Sequence, residues 1–273
     1  MDDVSIRAET LYLALDAVNT RVKFGLFDPA AKPLPHCLWH SFILCGQPLP
    51  DTLFDTVPAD TPVRSLLSGS NPPEMARLAA EWRPDWPLLH VLRDQTELPV
   101  AIDVDAPEKV GLDRLLNAVA AQQIRADGQP VVIVDSGTAT TVDYVDRQGT
   151  FCGGAILPGI GMSARALNDY TALLPLIPAR DVTFEAPDVI GRNTVAAMKS
   201  GLFWGHVGAV RELTSQMLSR DSGAHPPLIL ATGGAGASLA PWLPSAQVHP
   251  FLPLQGLVLS ASADGSVASQ PRL

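Results

Sequence analysis

Short apolar runs that alternate with turns of small polar residues dominate the pattern of this chain. Two apolar runs, Leu11–Asp16 and Val131–Asp135, each end in an aspartate and predict buried strands. Each run leads through a small polar turn into an apolar return segment, at Val22–Asp28 and Thr141–Asp146. The pattern therefore predicts two similar strand–turn–strand hairpins, separated by nearly half the chain.

The remaining pattern predicts further strands and helices separated by loops rich in glycine and proline. Helices are expected at residues 73–81, 112–125, 163–174 and 194–218. Additional strands are expected at residues 37–44, 63–67, 90–92, 100–103, 228–232 and 257–259. The Gly- and Pro-rich stretch 153–161 is expected to be a loop.

Composition limits the class of protein. The chain has 273 residues, of which 47% are hydrophobic, so it can bury the core of one large domain or two lobes. Its net charge of −9 argues against nucleic acid or an anionic membrane as a partner. The three cysteines lack CxxC spacing and indicate neither a zinc site nor a disulfide framework. No secretory leader or long apolar run is evident, so we expect a cytoplasmic protein without a membrane span.

The chemistry of the two turns favours phosphate binding. Backbone N–H groups, hydroxyls and small side chains suit phosphate oxygens, and Lys23 on the return strand adds a positive charge. Asp16 and Asp135 would repel phosphates unless a cation lay between them, and magnesium prefers such oxygen ligands. A glycine turn after the strand at 228–232, which contains Gly233 and Gly234, would let an adenine ring lie against the backbone.

Common nucleotide signatures are absent from the chain, since neither GxxxxGK[ST] nor GxGxxG occurs. The pattern instead favours an α/β fold of two similar ribonuclease-H-like lobes, as in actin-like ATPases. Each lobe would hold a mixed sheet flanked by helices, with a nucleotide cleft between them. We expect the lobes at residues 1–110 and 111–273, linked by helix 112–125. A chance likeness between two ordinary hairpins is the alternative.

Phosphoryl transfer to an alcohol also needs a proton acceptor, and Asp113 is the candidate. It stands where the loop containing Gly111 enters a predicted helix, and Arg114 beside it could bind a carboxylate. Alternatively, Asp113 only caps the helix and Arg114 is only solvated.

Six segments in order make the resemblance to a family specific. They are Asp16–Lys23 (family pattern DxGNTxxK), Pro107–Arg114 (PxxxGxDR), Asp135–Thr141 with Asp143 (DxGTATTxD), Gly153–Gly159, Gly191–Thr194 (GxNT) and Thr232–Gly234. The chain resembles the type III pantothenate kinases, within the actin-like kinase superfamily, over residues 11–259.

The resemblance implies ATP-dependent phosphorylation of pantothenate, the first step towards coenzyme A, by a homodimer. The residues implied to bind ATP are Asp16, Asn19, Thr20, Lys23, Gly137, Thr138, Ala139, Thr140, Gly233 and Gly234. Asp16 would lie near Mg²⁺, and Asp135 would hold a monovalent cation, K⁺ or NH₄⁺. Asp113 would accept the proton of the pantothenate hydroxyl. The residues implied to contact pantothenate are Val104, Gly111, Leu112, Asp113, Arg114 and, from the neighbouring subunit, Thr194.

Two positions depart from the family pattern. Val18 replaces a glycine of the first turn, whereas Gly137 retains it in the second. If that position needs a positive φ or contact between backbone and phosphate, valine would be strained and would weaken ATP binding. Val104 stands where the family often has a tyrosine against the substrate. Two other functions therefore stay open: a degenerate kinase that acts as a regulatory binding protein, and a kinase for another small alcohol.

Overall fold

The structure of the protein is a computed structural model that describes residues 10–55, 57, 61–183, 185–220 and 225–263. These residues form ten strands and seven α-helices. The strands are β1 (Leu11–Ala17), β2 (Arg21–Asp28), β3 (His36–Leu44), β4 (Val63–Gly69), β5 (Leu89–Val91), β6 (Val131–Ser136), β7 (Ala139–Val145), β8 (Phe151–Pro158), β9 (Leu228–Thr232) and β10 (Gln247–Val248). The helices are α1 (Pro72–Ala80), α2 (Leu112–Ile124), α3 (Ile160–Asp169), α4 (Arg180–Thr183), α5 (Thr194–Ser219), α6 (Gly236–Leu239) and α7 (Leu252–Ala263).

The chain divides into two compact units. The first unit contains the described residues of 1–100, 106–124 and 252–273, and the second those of 101–105 and 125–251. This division differs from the sequence-based boundary at residue 110, because α2 and the distant α7 pack against each other in the first unit. Gly256 permits their close approach, since a Cβ there would lie 2.0 Å from the Leu116 carbonyl oxygen.

Both units carry a five-stranded mixed sheet with the same topology. The orders are β3-β2-β1-β4-β5 and β8-β7-β6-β9-β10. In each sheet the first three strands are antiparallel neighbours, whereas the last two run parallel to the central strand. The repeat of the whole sheet confirms the predicted α/β fold of two ribonuclease-H-like lobes.

The central strands are buried because apolar side chains occupy both of their faces. All seven residues of β1 and the first four of β6 are buried. On one face of the first sheet, Phe24 and Leu67 pack with Leu78 of α1. In the second unit, Val132 and Val134 pack with apolar residues of α3 and α5. These cores fix the ends of β1 and β6, where the two hairpin turns begin.

Three sequence-based assignments are wrong and one helix boundary is shifted. Residues 153–161 form most of β8 and the start of α3, and residues 257–259 belong to α7. Residues 100–103 contribute only an isolated bridge from Ile102 to Phe151. The helix predicted at 163–174 spans Ile160–Asp169. None of the helices in the described part of the chain has the length and hydropathy that a bilayer crossing requires.

Candidate active site

The first hairpin places a buried carboxylate opposite a lysine. Asp16 at the end of β1 pairs with Lys23 of β2, so both side chains lie on the same face of the sheet. Asp16 is only 1% exposed. The turn between the strands is closed by the Val18 N–H, which donates to the Arg21 carbonyl oxygen at 3.0 Å. Asn19 and Thr20 lie exposed at the tip of this turn.

Cys45, the residue after β3, forms two hydrogen bonds to the backbone of the first turn. Its thiol donates to the Val18 carbonyl oxygen at 3.1 Å, and its N–H donates to the Thr20 carbonyl oxygen at 3.3 Å. The Asn71 N–H donates to the carbonyl oxygen of Ala17 at 3.1 Å. Three carbonyl groups of the turn region, those of Ala17, Val18 and Thr20, are thus bound within the protein, and the polar side chains at the tip stay accessible to a ligand.

Val18 is not strained in the way that the family pattern suggested. Apart from glycines, Ser245 is the one described residue with a positive φ. Gly137, its counterpart in the second turn, also has no positive φ, and a Cβ there would lie 3.6 Å from its nearest neighbour. The position therefore accepts a side chain on conformational grounds, and the expected backbone penalty at Val18 does not arise.

The second hairpin is one residue tighter. Asp135 pairs with Thr141 and Ser136 with Thr140, and the Gly137 N–H donates to the Ala139 carbonyl oxygen at 2.9 Å. Gly137 and Thr138 are exposed, Ala139 is half-buried and Thr140 is buried. A hydroxyl therefore faces the aspartate here, where the first hairpin presents an ammonium group.

A buried histidine supports the second hairpin. The Nε2 atom of His206, on α5, lies 3.2 Å from Thr140 Oγ1 and 3.4 Å from Ser136 Oγ, and the two hydroxyl oxygens lie 3.0 Å apart. Burial lowers the pKa of His206, which favours its neutral form. Thr141 donates to buried Asp143 at 3.0 Å on the same strand. The sequence motif contained both threonines, but nothing in it indicated the distant histidine.

The glycine turn after β9 lies directly beside Asp135. Gly233 has φ +81°, and a Cβ there would lie 2.5 Å from Asp135 Oδ1 and 2.6 Å from the Ser136 carbonyl oxygen. The Ala235 N–H donates to that same carbonyl oxygen at 3.0 Å. Gly234 is exposed, and no atom lies within 4 Å of the place where its Cβ would be. The open surface at Gly234 suits a flat ring.

The first unit repeats this turn in a form that the sequence analysis missed. At the end of β4, Gly69 lies against Ala17, where a Cβ would be 2.1 Å from the carbonyl oxygen. Ser68 pairs with Asp16 as Thr232 pairs with Asp135. Both hydroxyls are fully buried and have no hydrogen-bond partner among the described residues. A hydroxyl residue followed by glycine at the end of a strand was the available signal.

Asp113 lies in the first turn of α2, in the same unit as the first hairpin. Its Oδ1 accepts from the Arg114 N–H at 2.9 Å. A Cβ on Gly111 would lie 2.6 Å from the same oxygen, so a side chain there would displace the carboxylate. Gly111, Leu112, Asp113 and Arg114 are all half-buried. The segment thus presents a carboxylate, held by a helix N-terminus, that a substrate can still reach.

Two further candidate residues lie in the second unit. Val104 lies near Gly153, whose Cβ position is 3.5 Å from a Val104 methyl group. Thr194 is exposed at the start of α5, after Asn193 caps the helix by accepting from the Ala196 N–H at 2.9 Å. Thr194 also lines a largely apolar groove of about 1200 Å³ that runs along α3 and α5.

No cluster of three or more His, Cys, Asp or Glu side chains placed to hold a metal occurs among the described residues. Asp16 and Asp135 are each a single carboxylate at the end of a central strand. Magnesium commonly uses one or two protein carboxylates and completes its shell with water and phosphate oxygens. A single aspartate beside a phosphate turn therefore fits such an ion when the nucleotide supplies further ligands.

Comparison with known proteins gives a consistent result. The family model for type III pantothenate kinase matches residues 12–216. The type III pantothenate kinase of Acidiphilium cryptum is 38% identical over 72% of this chain and 71% of its own. That of Gluconobacter oxydans is 38% identical over 77% of this chain and 76% of its own. A solved Baf family protein from Campylobacter jejuni, described as a transcriptional activator, has the same fold. It shows a TM-score of 0.57, 17% identity, and coverage of 92% of this chain and 98% of its own.

Proposed function

The chain belongs to the type III pantothenate kinase family, and on this premise we propose that it phosphorylates pantothenate with ATP. The product is 4′-phosphopantothenate, formed in the first step of coenzyme A biosynthesis. One geometric observation supports this most directly: buried Asp16 faces Lys23, which has no ion-pair partner among the described residues. A free ammonium group beside a turn of exposed polar side chains suits a phosphate.

We assign ATP binding to both hairpins and to the glycine turn. In the first unit, the exposed side chains of Asn19 and Thr20 and the Lys23 ammonium group would contact phosphate oxygens. In the second unit, residues 137–140 would contribute N–H and hydroxyl donors. Gly233 and Gly234 would receive the adenine, because Gly234 leaves open surface at the turn.

We assign Mg²⁺ binding to Asp16 and binding of K⁺ or NH₄⁺ to Asp135. When bound, the divalent ion supplies charge neutralisation on the phosphates. Asp16 is buried at the end of β1. Asp135 Oδ1 lies beside the Gly233 turn, where a Cβ on Gly233 would be 2.5 Å away from it. A side chain at residue 233 would therefore displace the Asp135 carboxylate.

Asp113 would accept the proton of the pantothenate hydroxyl as the oxygen attacks the γ-phosphorus of ATP. Its Oδ1 is engaged by the Arg114 N–H, which leaves Oδ2 to approach the hydroxyl. The Arg114 guanidinium can bind the pantothenate carboxylate. Gly111, Leu112, Val104 and Thr194 would complete the pantothenate site.

A homodimer fits the apolar surface of the second unit. Met162, Tyr170 and Leu173 are large exposed side chains on or just after α3. Beside them, Gly201 and Gly205 of α5 leave the floor of the groove open. A second copy of this chain would cover these groups, and Thr194 at the groove would then adjoin the partner. We place this enzyme in the cytoplasm, where both substrates are available to it.

The test is pantothenate-dependent ADP formation at millimolar ATP with Mg²⁺ and K⁺. Asp113→Asn should lower kcat by about 10²- to 10⁴-fold because the base is lost. Asparagine can still accept from the Arg114 N–H, so the free energy of unfolding should hardly change. Glu108→Gln, an exposed acid nearby, is the matched control and should keep full activity.

Three outcomes would contradict this assignment. Absence of ADP formation in the wild-type protein would exclude the kinase, and an equally active Asp113→Asn variant would leave Asp113 as a cap only. Faster turnover of another small alcohol would identify a different acceptor. The regulatory alternative drew its support from strain at Val18 or from loss of contact between backbone and phosphate there. The backbone shows no such strain, and the Val18→Gly variant tests the contact.

A further inference from the structure

An arginine stacked on an exposed aromatic ring extends the first hairpin. The Arg21 guanidinium carbon lies 4.6 Å from the centre of the Phe42 ring. Phe42 lies on the neighbouring strand β3, directly opposite Lys23, and is 52% exposed. Because Arg21 and Lys23 are two residues apart on β2, their side chains leave the same face of the sheet. Two cations and one ring thus share that face at the end of the turn.

Asp16 lies opposite Lys23 in the strand register. Even so, no acidic side chain among the residues that the structure describes forms an ion pair with Arg21 or Lys23. The chain as a whole has 28 acidic and only 19 basic side chains, so it is rich in possible acidic partners for these two cations. The lack of an ion pair at both of them therefore calls for a functional explanation. Two like charges held side by side repel each other until an anion lies between them.

Arg83 provides an internal comparison. Its guanidinium carbon lies 5.3 Å from the centre of the Trp86 ring, so Arg83 also stacks on an aromatic side chain. However, Arg83 also contacts Asp51 at 3.1 Å and Asp85 at 2.7 Å. Arg83, distant from the first hairpin turn, therefore forms ion pairs within the protein. Arg21, at the turn, forms none among the described residues, so its N–H groups can bind a ligand.

We propose that Arg21 is a second phosphate-binding cation of the ATP site and that Phe42 is the residue that positions it. This inference rests on the proposed kinase function and deepens it. Stacking leaves the edge N–H groups of the guanidinium free, so it can bind phosphate oxygens while the ring fixes its plane.

The experiment compares nucleotide affinity and turnover in matched variants. Arg21→Ala should raise the dissociation constant and KM for ATP about tenfold, a loss typical of one charge-assisted hydrogen bond, with kcat changed less than twofold. The affinity for AMP, which lacks the outer phosphates, should change much less. Arg21→Lys should recover part of the loss. Arg83→Ala is the control and should leave both affinities unchanged.

A double-mutant cycle tests the role of Phe42. Phe42→Leu keeps an apolar side chain and should weaken ATP binding about threefold, but should add nothing to Arg21→Ala. Added salt should weaken ATP binding less in Arg21→Ala than in the wild type.

Unchanged ATP affinity in Arg21→Ala would overturn the inference while leaving the kinase intact, since wild-type ADP formation is measured separately. Additive losses in the double variant would remove Phe42 from the proposal. An equal loss of ATP and AMP affinity would show a structural effect instead of phosphate binding. Thermal unfolding of each variant identifies any general loss of folding.

Discussion

The two hairpins have the same topology but are held by different chemistry. In the first, Asp16 faces the Lys23 ammonium, and the turn is tied at its back by the Cys45 thiol and N–H. In the second, Asp135 faces a threonine, and the hydroxyls of Ser136 and Thr140 meet a buried histidine of α5. One turn therefore supplies positive charge on side chains, and the other supplies neutral donors.

The difference suggests that the two hairpins, although built on the same backbone arrangement, bind different parts of a ligand. The common features are a central strand ending in aspartate and a parallel strand ending in a buried hydroxyl and a glycine. These features fix the backbone in both units. The side chains that could contact a ligand lie at the turns, where the repeat has diverged. A cationic turn suits the outer phosphates of a nucleotide, whereas a turn rich in N–H and hydroxyl groups suits neutral or partly screened oxygens.

The largest expected effect tests the shared framework. Gly69→Ala and Gly233→Ala should each lower the free energy of unfolding by about 3 kcal/mol, because the added Cβ would lie 2.1 Å and 2.5 Å from neighbouring oxygens. Gly234→Ala is the matched control, since open space surrounds its Cβ position, and it should stay within about 0.5 kcal/mol of the wild type. Urea unfolding measures all three.

Equal losses of the free energy of unfolding in Gly69→Ala and Gly233→Ala would support the view that both units use the same glycine turn. If Gly69→Ala folded with wild-type stability, the turn at the end of β4 would not be the counterpart of the glycine turn after β9. Gly234→Ala has a separate expected result, a raised KM for ATP, because the adenine is proposed to lie against that surface.

Local signals explain most of what the sequence predicted. The hairpins combine an apolar strand, a small polar turn and an apolar return within about a dozen residues. α2 and α5 were predicted to within one residue at each end. Asn193 marks the start of α5 because its side chain satisfies a free N–H of the first turn. Asp113 was likewise placed correctly at the entrance of α2.

The errors arose where long-range packing overrides local pattern. Glycines in β8 suggested a loop, but Gly154 lets the strand approach β7, since a Cβ would lie 2.1 Å from the Val142 carbonyl oxygen. β8 also contains a register shift opposite residues 143–145, which breaks the expected alternation. α7 lacks a polar face, so no helical period marks it, although buried Leu257 and Val258 are core residues.

The missed parts of the site depend on contacts between distant segments. His206 reaches the second turn across a separation of 66 residues from Thr140. Arg21 meets Phe42 only because the register of β2 and β3 brings them together. Strand register and helix packing are set by the whole core, so neither contact could be inferred from residue spacing alone.

A smaller effect is expected from protonation of His206, whose neutral imidazole contacts the second hairpin. Since burial lowers the pKa of His206, the unfolded chain binds a proton at higher pH than the folded protein does. Stability should therefore fall as pH drops below about 6.5, by up to about 1.4 kcal/mol per pH unit, until the folded-state pKa is reached. His206→Gln keeps hydrogen-bonding groups but does not titrate, and should lose less stability over that interval.

Urea unfolding at pH 7.5 and 5.5 measures this difference between wild type and His206→Gln. A half-buried histidine elsewhere, His249, also has its pKa lowered by desolvation, and His249→Gln is therefore the control for position. If His206→Gln and the wild type lost the same free energy between the two pH values, protonation of His206 would have no part in holding the second turn.

The smallest effects are expected from substitutions at Val18 and Gly137, which occupy equivalent positions in the two turns. Val18→Gly should lower the free energy of unfolding by about 1 kcal/mol and should not raise kinase activity more than twofold, because Val18 has no positive φ to relieve. Gly137→Ala should be neutral or stabilise by about 0.5 kcal/mol, since its Cβ would meet its nearest neighbour at 3.6 Å. Urea unfolding and ADP formation measure both variants. A large gain of activity in Val18→Gly would mean that the valine obstructs the phosphates, and that the first turn is a weakened copy instead of a cationic variant of the second.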